Sequence, residues 1–184
     1  YYANIKVMDS SGTELQGAEV TATLSGNYVD SGITDEEGYV NLSLIQGEYL
    51  LRVEWQDITV SETEMMIDQN YTLNESINIT AEVYNPEFKI IDSHDNPLEN
   101  TAVYYVHPNG SSPPEPLTTN ESGYVSMNKM VSGEYRITVR WRGIEVADET
   151  VTVSSNEVLT IEADVYYVNF KAVDSRDEPL QFVQ

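Results

Sequence analysis

The chain has 184 residues, 40% of them hydrophobic and 10% aromatic, a composition that supports packed cores and argues against disorder. Its formal net charge is −22, and so acidic a surface excludes nucleic acid as a partner and disfavours an anionic membrane surface. The sequence contains no cysteine and no apolar run long enough to span a membrane, which excludes disulfides, thiol catalysis, cysteine-ligated metals and bilayer insertion by this segment.

The opening residues return twice further along the chain. Residues 1–10 align with 84–93 and with 166–175, at spacings of about 83 and about 82 residues. Two later anchors recur in the same order, 34–40 with 119–125 and 47–55 with 133–141. Ordered anchors at a fixed period indicate a tandem repeat. We expect two complete domains, 1–83 and 84–165, then the first strands of a truncated third repeat, 166–184, in a segment of a longer protein.

Within each copy, apolar and polar residues alternate with the period of a β-strand. Inward positions of this kind are Tyr49, Leu51 and Val53, and, in the last strand of the copy, Ile77 and Ile79. The second copy repeats both patterns, and turn signals such as those at 10–12 and 95–97 separate short strands. About seven strands per copy, with no sustained helical period, predict an all-β fold of tandem seven-stranded Ig-like or transthyretin-like sandwiches.

Two further expectations follow from the strand phase. Trp55 and Trp141 should occupy equivalent buried positions, with Tyr49 and Tyr135 on the same inner face. The connections at 83–86 and 165–168 pass from one copy to the next with almost no loop. Short linkers restrict the motion of neighbouring domains, so we expect a semi-rigid rod.

The ordered segments 7–20, 34–40 and 47–53 resemble the carboxypeptidase-regulatory-like family. The resemblance implies a transthyretin-like (prealbumin-like) sandwich that occurs in tandem on prokaryotic surface proteins, and it implies no reaction. In the related Cna-B domains, an isopeptide bond joins a first-strand lysine to a late asparagine. Lys6, Lys89 and Lys171 recur on the first strand here, but the acid of that family would fall on Val53 and Val139. We expect outward-facing lysines and no crosslink.

Neither catalysis nor a firm metal site is indicated. The two histidines, His94 and His107, both lie in the second copy, so a function shared by the repeats cannot depend on them. We therefore expect no enzyme, no catalytic residue and no cofactor. Asp9, Asp92 and Asp174 lie in equivalent turns near the domain ends. These carboxylates either bind calcium at the junctions or cap their own turns.

Six sequons of the form Asn-x-Ser/Thr are present, more than the composition alone predicts. We expect glycosylation, above all at Asn74 and Asn109, although a surface rich in Ser, Thr and Asn also produces sequons by composition. Glycans would place the chain outside the cell, at the cell surface. An acidic, cysteine-free, sequon-rich chain is typical of an archaeal surface glycoprotein. The candidate sites are Asn41, Asn70, Asn74, Asn78, Asn109 and Asn120.

Two functions remain open from the sequence. The first is a structural segment of a surface stalk, filament or surface layer, with other copies of the chain as partners. The second is an adhesin or carbohydrate-binding array that uses exposed tyrosines and the insert 107–116 to bind glycans or surface proteins. An accessory domain of a secreted hydrolase is a third reading. Arg136, Arg140 and Arg142 are either a docking patch or local charge balance. We expect the first strand of the third copy at 168–174. Because two strands cannot bury Phe170, Val173, Leu180 and Phe182 alone, we expect another copy of the chain to order 166–184; the alternative is that the segment folds back onto the second domain through Tyr166 and Tyr167.

Overall fold

The computed structural model describes residues 1–180. The first copy is a sandwich of a three-stranded sheet, ordered β4-β1-β7, and a four-stranded sheet, ordered β3-β2-β5-β6. A 3₁₀ turn, Leu73–Glu75, precedes the last strand. The strands are β1 Tyr2–Met8, β2 Glu19–Leu24, β3 Asn27–Ile33, β4 Tyr39–Ser43, β5 Gly47–Trp55, β6 Ile58–Ile67 and β7 Ile77–Thr80.

The second copy repeats this topology strand for strand. Its sheets are ordered β12-β9-β16 and β11-β10-β14-β15. The strands are β9 Glu87–Ile91, β10 Ala102–Val106, β11 Leu117–Thr118, β12 Tyr124–Ser126, β14 Gly133–Trp141, β15 Ile144–Val153 and β16 Val158–Glu162. Two short strands, β8 Val83–Tyr84 and β13 Met130–Val131, form a separate ribbon. The predicted all-β fold of tandem seven-stranded sandwiches is confirmed.

Each first strand lies at the centre of its three-stranded sheet. β1 is antiparallel to β4 and parallel to β7, and β9 has the same neighbours in β12 and β16. The strand phase is also as predicted. Tyr49, Leu51 and Val53 are fully buried, whereas Arg52 between them is exposed. Tyr135 is fully buried in the second copy, and its hydroxyl donates to Val131 O at 3.0 Å.

The prediction for the tryptophans was only partly right. Trp55 and Trp141 are equivalent, but both are half-buried. Each is the last residue of its strand, where the sandwich tapers into a two-residue hairpin turn with positive φ at both turn residues. At this end the Trp55 indole Nε1 still reaches a partner and donates to Gln16 O at 3.2 Å.

The strand predicted at 168–174 does not form within residues 163–180. The backbone there makes an isolated bridge between Val173 and Pro179, which matches the bridges Met8–Glu14 and Ile91–Pro97 of the complete copies. Phe170, whose counterpart Phe88 is fully buried, is 91% exposed. The turn of the third copy is therefore present without its sandwich. Phe182, which was expected to share in this apolar set, lies outside the described residues.

Candidate functional site: the junction between the two sandwiches

A two-stranded ribbon ties the end of the first sandwich to the second. β8 pairs antiparallel with β13, which places Val83 opposite Val131 and Tyr84 opposite Met130. Ser132 N extends the ribbon by donating to Glu82 O at 2.9 Å. Val83, Met130 and Val131 are all at most 1% exposed. The linker strand therefore pairs with a strand of the second copy, where Val83 is buried and Tyr84 is half-buried.

Asn85 connects both sandwiches through its side-chain amide. Its Nδ2 donates to Asp9 Oδ2 at 2.9 Å and to Ser11 Oγ at 3.1 Å, both in the first copy. Its Oδ1 accepts the backbone N–H of Lys129, in the second copy, at 2.9 Å. Lys129 has a φ of 57°, in the left-handed region, which turns the chain into β13. One linker side chain thus holds a turn of each sandwich.

Three further contacts cross the junction. Asn156 Oδ1 of the second copy accepts from Ser10 Oγ at 3.1 Å and from Asn85 N at 2.7 Å. The Lys129 ammonium donates to Glu14 O at 3.1 Å. Asn109 Nδ2, in the insert 107–116, donates to Gln56 O at 3.3 Å. The contacts across the junction therefore come from several turns around the linker.

The turn aspartates cap their own turns. Asp9 Oδ1 accepts the N–H groups of Ser11 and Thr13 at 2.8 and 3.0 Å, and its Oδ2 faces Asn85. Asp92 and Asp174 make the same backbone contacts in their turns. Across residues 1–180, no group of three or more His, Asp or Glu side chains is placed to hold a metal ion. Of the two roles left open for these carboxylates, the geometry favours capping.

The second junction repeats the aspartate contact with a different partner. Tyr167 stands where Asn85 stands in the first junction, and the Asp92 carboxylate beside its hydroxyl raises the pKa of Tyr167. Burial opposes ionisation of Asp92, but the N–H groups of His94 and Asn96 and the Tyr167 hydroxyl stabilise the carboxylate and lower its pKa to about 2. The His94 ring packs edge-on against Tyr167 at 5.3 Å between centroids. The turn aspartate therefore holds the following linker in both places.

The six sequon asparagines are all exposed, but they are not brought together. Asn41 and Asn78 lie on β4 and β7, Asn74 in the 3₁₀ turn, and Asn70, Asn109 and Asn120 in loops. Asn120 accepts the N–H groups of Ser122 and Tyr124, as Asp35 does for Glu37 and Tyr39 in the first copy. Asn109 differs from the others because its Nδ2, the atom that carries an N-linked glycan, already bonds across the junction.

The basic residues bond within their own sandwiches. Lys6 contacts Glu14 at 3.3 Å and lies over the Tyr39 ring, and Lys89 lies over Tyr124 in the same way. Val53 and Val139, where the acid of the Cna-B domains would fall, are fully buried. The contacts of Lys6 and Lys89 are those of outward-facing side chains. Arg136 pairs with Asp148 through Nε at 2.8 Å, Arg140 with Glu145 at 3.7 Å, and Arg142 stacks on Trp141. This arrangement favours local charge balance over a docking patch.

The histidines and the exposed tyrosines mark no common site. His94 is exposed in a turn, and His107 packs against Tyr105 and Tyr135, where burial lowers its pKa. The exposed tyrosines do not form one row: Tyr28 and Tyr104 lie on separate sheets, and four lie at the outer ends of the sandwich pair. Those four are Tyr1, Tyr2, Tyr166 and Tyr167.

The junction was not visible to the sequence reasoning, which treated the linker only as short. Asn85 does not recur in the repeats, because the equivalent positions are Tyr2 and Tyr167. The available signal was the recurrence of an aspartate, Asp9, Asp92 or Asp174, in the turn that faces each linker. No helix in the part of the chain described, 1–180, is long and apolar enough to cross a membrane.

Comparison with known proteins gives neighbours among solved structures. No protein-family model and no curated protein sequence matches the chain. The minor pilin GBS52 of Streptococcus agalactiae has a TM-score of 0.48 at 14% identity, covering 96% of this chain and 100% of that one. The shaft pilin SpaA of Lactobacillus rhamnosus GG has 0.40 at 10% identity, covering 91% and 99%.

A third neighbour is the Bacillus anthracis TIE protein, with a TM-score of 0.38 at 20% identity over 89% of this chain. The chain spans 33% of the length of that protein. All three proteins are bacterial, so the comparisons lend no support to the archaeal assignment or to the carboxypeptidase-regulatory-like family. Likeness at this level says nothing about what the chain binds.

Proposed function

We propose that the chain is an extracellular structural segment, a stiff pair of repeats in a surface stalk or filament. The observation that carries this proposal is the junction, where the ribbon β8–β13 and the Asn85 contacts join two copies of one sandwich. A linker that only tethered two binding domains would not need its apolar residues buried or its amide bonded to both sides. Fixed spacing and orientation of repeats is what a load-bearing or spacing element requires.

A carbohydrate-binding array is the weaker proposal. Sugar binding by aromatic side chains calls for a flat row of exposed rings on one face, and four of the exposed tyrosines lie instead at the two ends of the sandwich pair. End positions suit contacts between repeats. The cell-surface location rests on the six exposed sequons, which support the proposal only if they carry sugar.

Stiffness is directly measurable because the chain has no cysteine of its own. Glu36 and Glu121 are exposed, equivalent turn residues of the two copies, so Glu36→Cys with Glu121→Cys gives one spin label in each sandwich. We expect pulsed electron paramagnetic resonance to give one narrow distance distribution. The matched control adds Asn85→Ala and Lys129→Gly, which remove the Asn85 side-chain bonds and the Lys129–Glu14 bond and should broaden the distribution. A broad, multi-peaked distribution in the otherwise unchanged chain would refute a stiff junction.

A further inference from the structure

The proximal end of the first sandwich exposes apolar residues around the start of β1. We define this proximal face by Tyr1, Tyr2, Ile45, Met66 and Leu73, each at least 45% exposed. Ile45 is the counterpart of Val131, since the segment between β4 and β5 corresponds to that between β12 and β14. Ile45 is 67% exposed and Val131 is 1% exposed. The difference arises because Val131 is covered by Val83 of the preceding copy.

The polar half of a junction is already assembled on this face. Leu44 N donates to Tyr1 O at 2.9 Å, at the place where Met130 pairs with Tyr84 in the internal junction. Tyr2 N donates to Asn70 Oδ1 at 2.9 Å, as Asn85 N donates to Asn156 Oδ1. Asn156 also receives Ser10 Oγ from the preceding copy. Asn70 therefore occupies the position of Asn156, and its Oδ1 could accept a hydrogen bond from the turn serine of a preceding copy.

The distal end of the second sandwich has the matching form. Val165 O accepts Ser93 N at 3.3 Å and Ser93 Oγ at 2.9 Å, as Val83 O accepts Ser10 N at 2.9 Å. Ile144, beside this segment, is 68% exposed and lines an open groove with Trp141 and Val165. The distal end thus has the same turn, bonded to an outgoing segment of the same sequence position, that the first sandwich presents to the second.

We propose that the proximal face of the first sandwich is the docking surface for the distal end of another copy of this repeat. The docked copy makes the contacts of the internal junction: its final valine pairs with Ile45, and its turn serine turns its hydroxyl from the valine carbonyl to donate to Asn70 Oδ1, as Ser10 does to Asn156. The occupant is a repeat copy because the central positions of the face have counterparts covered in the junction between the two copies: Val131, the counterpart of Ile45, is buried there, and Tyr84 and Asn85, the counterparts of Tyr1 and Tyr2, are half-buried. This inference rests on the proposed function, to which it adds the partner.

The test places a second copy of residues 84–165 ahead of Tyr1 of the whole chain. Joining Val165 to Tyr1 recreates the order Val-Tyr-Tyr found at 165–167. Ile45→Cys then supplies a unique thiol, and its rate of maleimide labelling is compared with and without the added copy. We expect labelling to slow by about tenfold or more in the extended chain, because the thiol becomes accessible only when the docked ends open.

Two control variants bracket the measurement. Ile144→Cys lies at the opposite end with the same exposure and should label equally fast in both chains. Val131→Cys is covered by the internal junction and should label slowly in both. Amide exchange at Gln46 is a second readout that needs no substitution, since its counterpart Ser132 N bonds to Glu82 O; protection of Gln46 in the extended chain supports docking.

Equal labelling of Cys at position 45 in both chains, with Gln46 unprotected, overturns the inference. The spin-label distance between positions 36 and 121 separates this from failure of the proposed function. If that distance stays narrow while position 45 remains accessible, the internal junction is stiff and the proximal face does not receive a repeat. If that distance is broad, the stiff-segment proposal fails by itself, whatever the labelling result.

Discussion

Replacing Asn85 with alanine removes the linker side chain that bonds to both sandwiches. The substitution deletes two bonds donated to Asp9 and Ser11 and one accepted from Lys129 N. A hydrogen bond to a charged carboxylate contributes about 1.5–3 kcal/mol and a neutral one about 1 kcal/mol. Asn85 is only half-buried, so water replaces part of this. We expect the second sandwich to lose about 2–4 kcal/mol of stabilisation from its neighbour.

Each sandwich contains one tryptophan, Trp55 or Trp141, so Trp141→Phe and Trp55→Phe variants report the unfolding of the first and second copies separately by fluorescence. In urea, the two transitions should lie close together in the native junction and move apart with Asn85→Ala. The matched control is Asn27→Ala, whose amide bonds only locally to Ser25 O and which should change the free energy of unfolding by less than about 0.5 kcal/mol. If Asn85→Ala shifts neither transition beyond that control, Asn85 does not couple the sandwiches.

Three other outcomes are expected. The pKa of Asp92 is lowered from 3.8 to about 2, so its contribution to stability is complete above about pH 4 and is lost as the pH falls through about 2. Urea titrations between these pH values should show that the free energy of unfolding depends less on pH in Asp92→Asn than in the unchanged chain. An equal pH dependence in the two proteins would contradict the role of Asp92 as a cap. Tyr135→Phe removes a buried hydroxyl that bonds to Val131 O and should cost about 1 kcal/mol in the unfolding of the second copy, whereas Tyr28→Phe, at an exposed hydroxyl, should cost almost nothing. Native material should lose mass on enzymatic deglycosylation, with sugar at Asn74 and none at Asn109, whose Nδ2 is bonded to Gln56 O across the junction; a native mass equal to that of the bare polypeptide would remove the sequon argument for a cell-surface location.

The strand phase was predictable because alternation is decided residue by residue. Tyr49, Leu51 and Val53 are inward in the sequence pattern and fully buried in the fold. Alternation does not show where the buried part of a strand ends. Trp55 continues the inward pattern and was therefore expected to be buried, but it is the last residue of its strand and is half-buried. Alternation also does not say whether a partner strand exists. Residues 168–174 have the right period, but within residues 1–180 they pair only at the isolated bridge Val173–Pro179, and a lone strand leaves its backbone hydrogen bonds unmade.

The junction was harder to predict, because its contacts join turns that lie far apart in the sequence. Asn85 meets Asp9 across 76 residues and Lys129 across 44. The repeat alignment gives the positions of these turns but not which polar atoms face each other. Hydrogen bonds between loops depend on the relative orientation of two domains, and that orientation is a product of the junction itself.

The parallel pairing of the first and last strands determines how each sandwich carries tension. β1 starts at the proximal end and β7 runs beside it to the distal end, with Ile5–Met8 opposite Ile77–Thr80. A pull between the two ends of a sandwich enters at the start of β1 and leaves after β7, so it slides the two strands past each other. All hydrogen bonds of that ladder are then loaded in shear at once, whereas a hairpin pulled open at its ends breaks them one by one.

The second sandwich has a slightly longer ladder of the same kind, with Glu87–Ile91 opposite Val158–Glu162. Single-molecule stretching should therefore give two unfolding steps, the first copy yielding at the lower force because its shear ladder is shorter. A first step assigned to the second copy would contradict this reading. A series of such repeats would unfold one at a time under load, and each unfolding step would lengthen the chain. The work of a sudden pull would then be absorbed by unfolding, whereas an inextensible chain would transmit the full force.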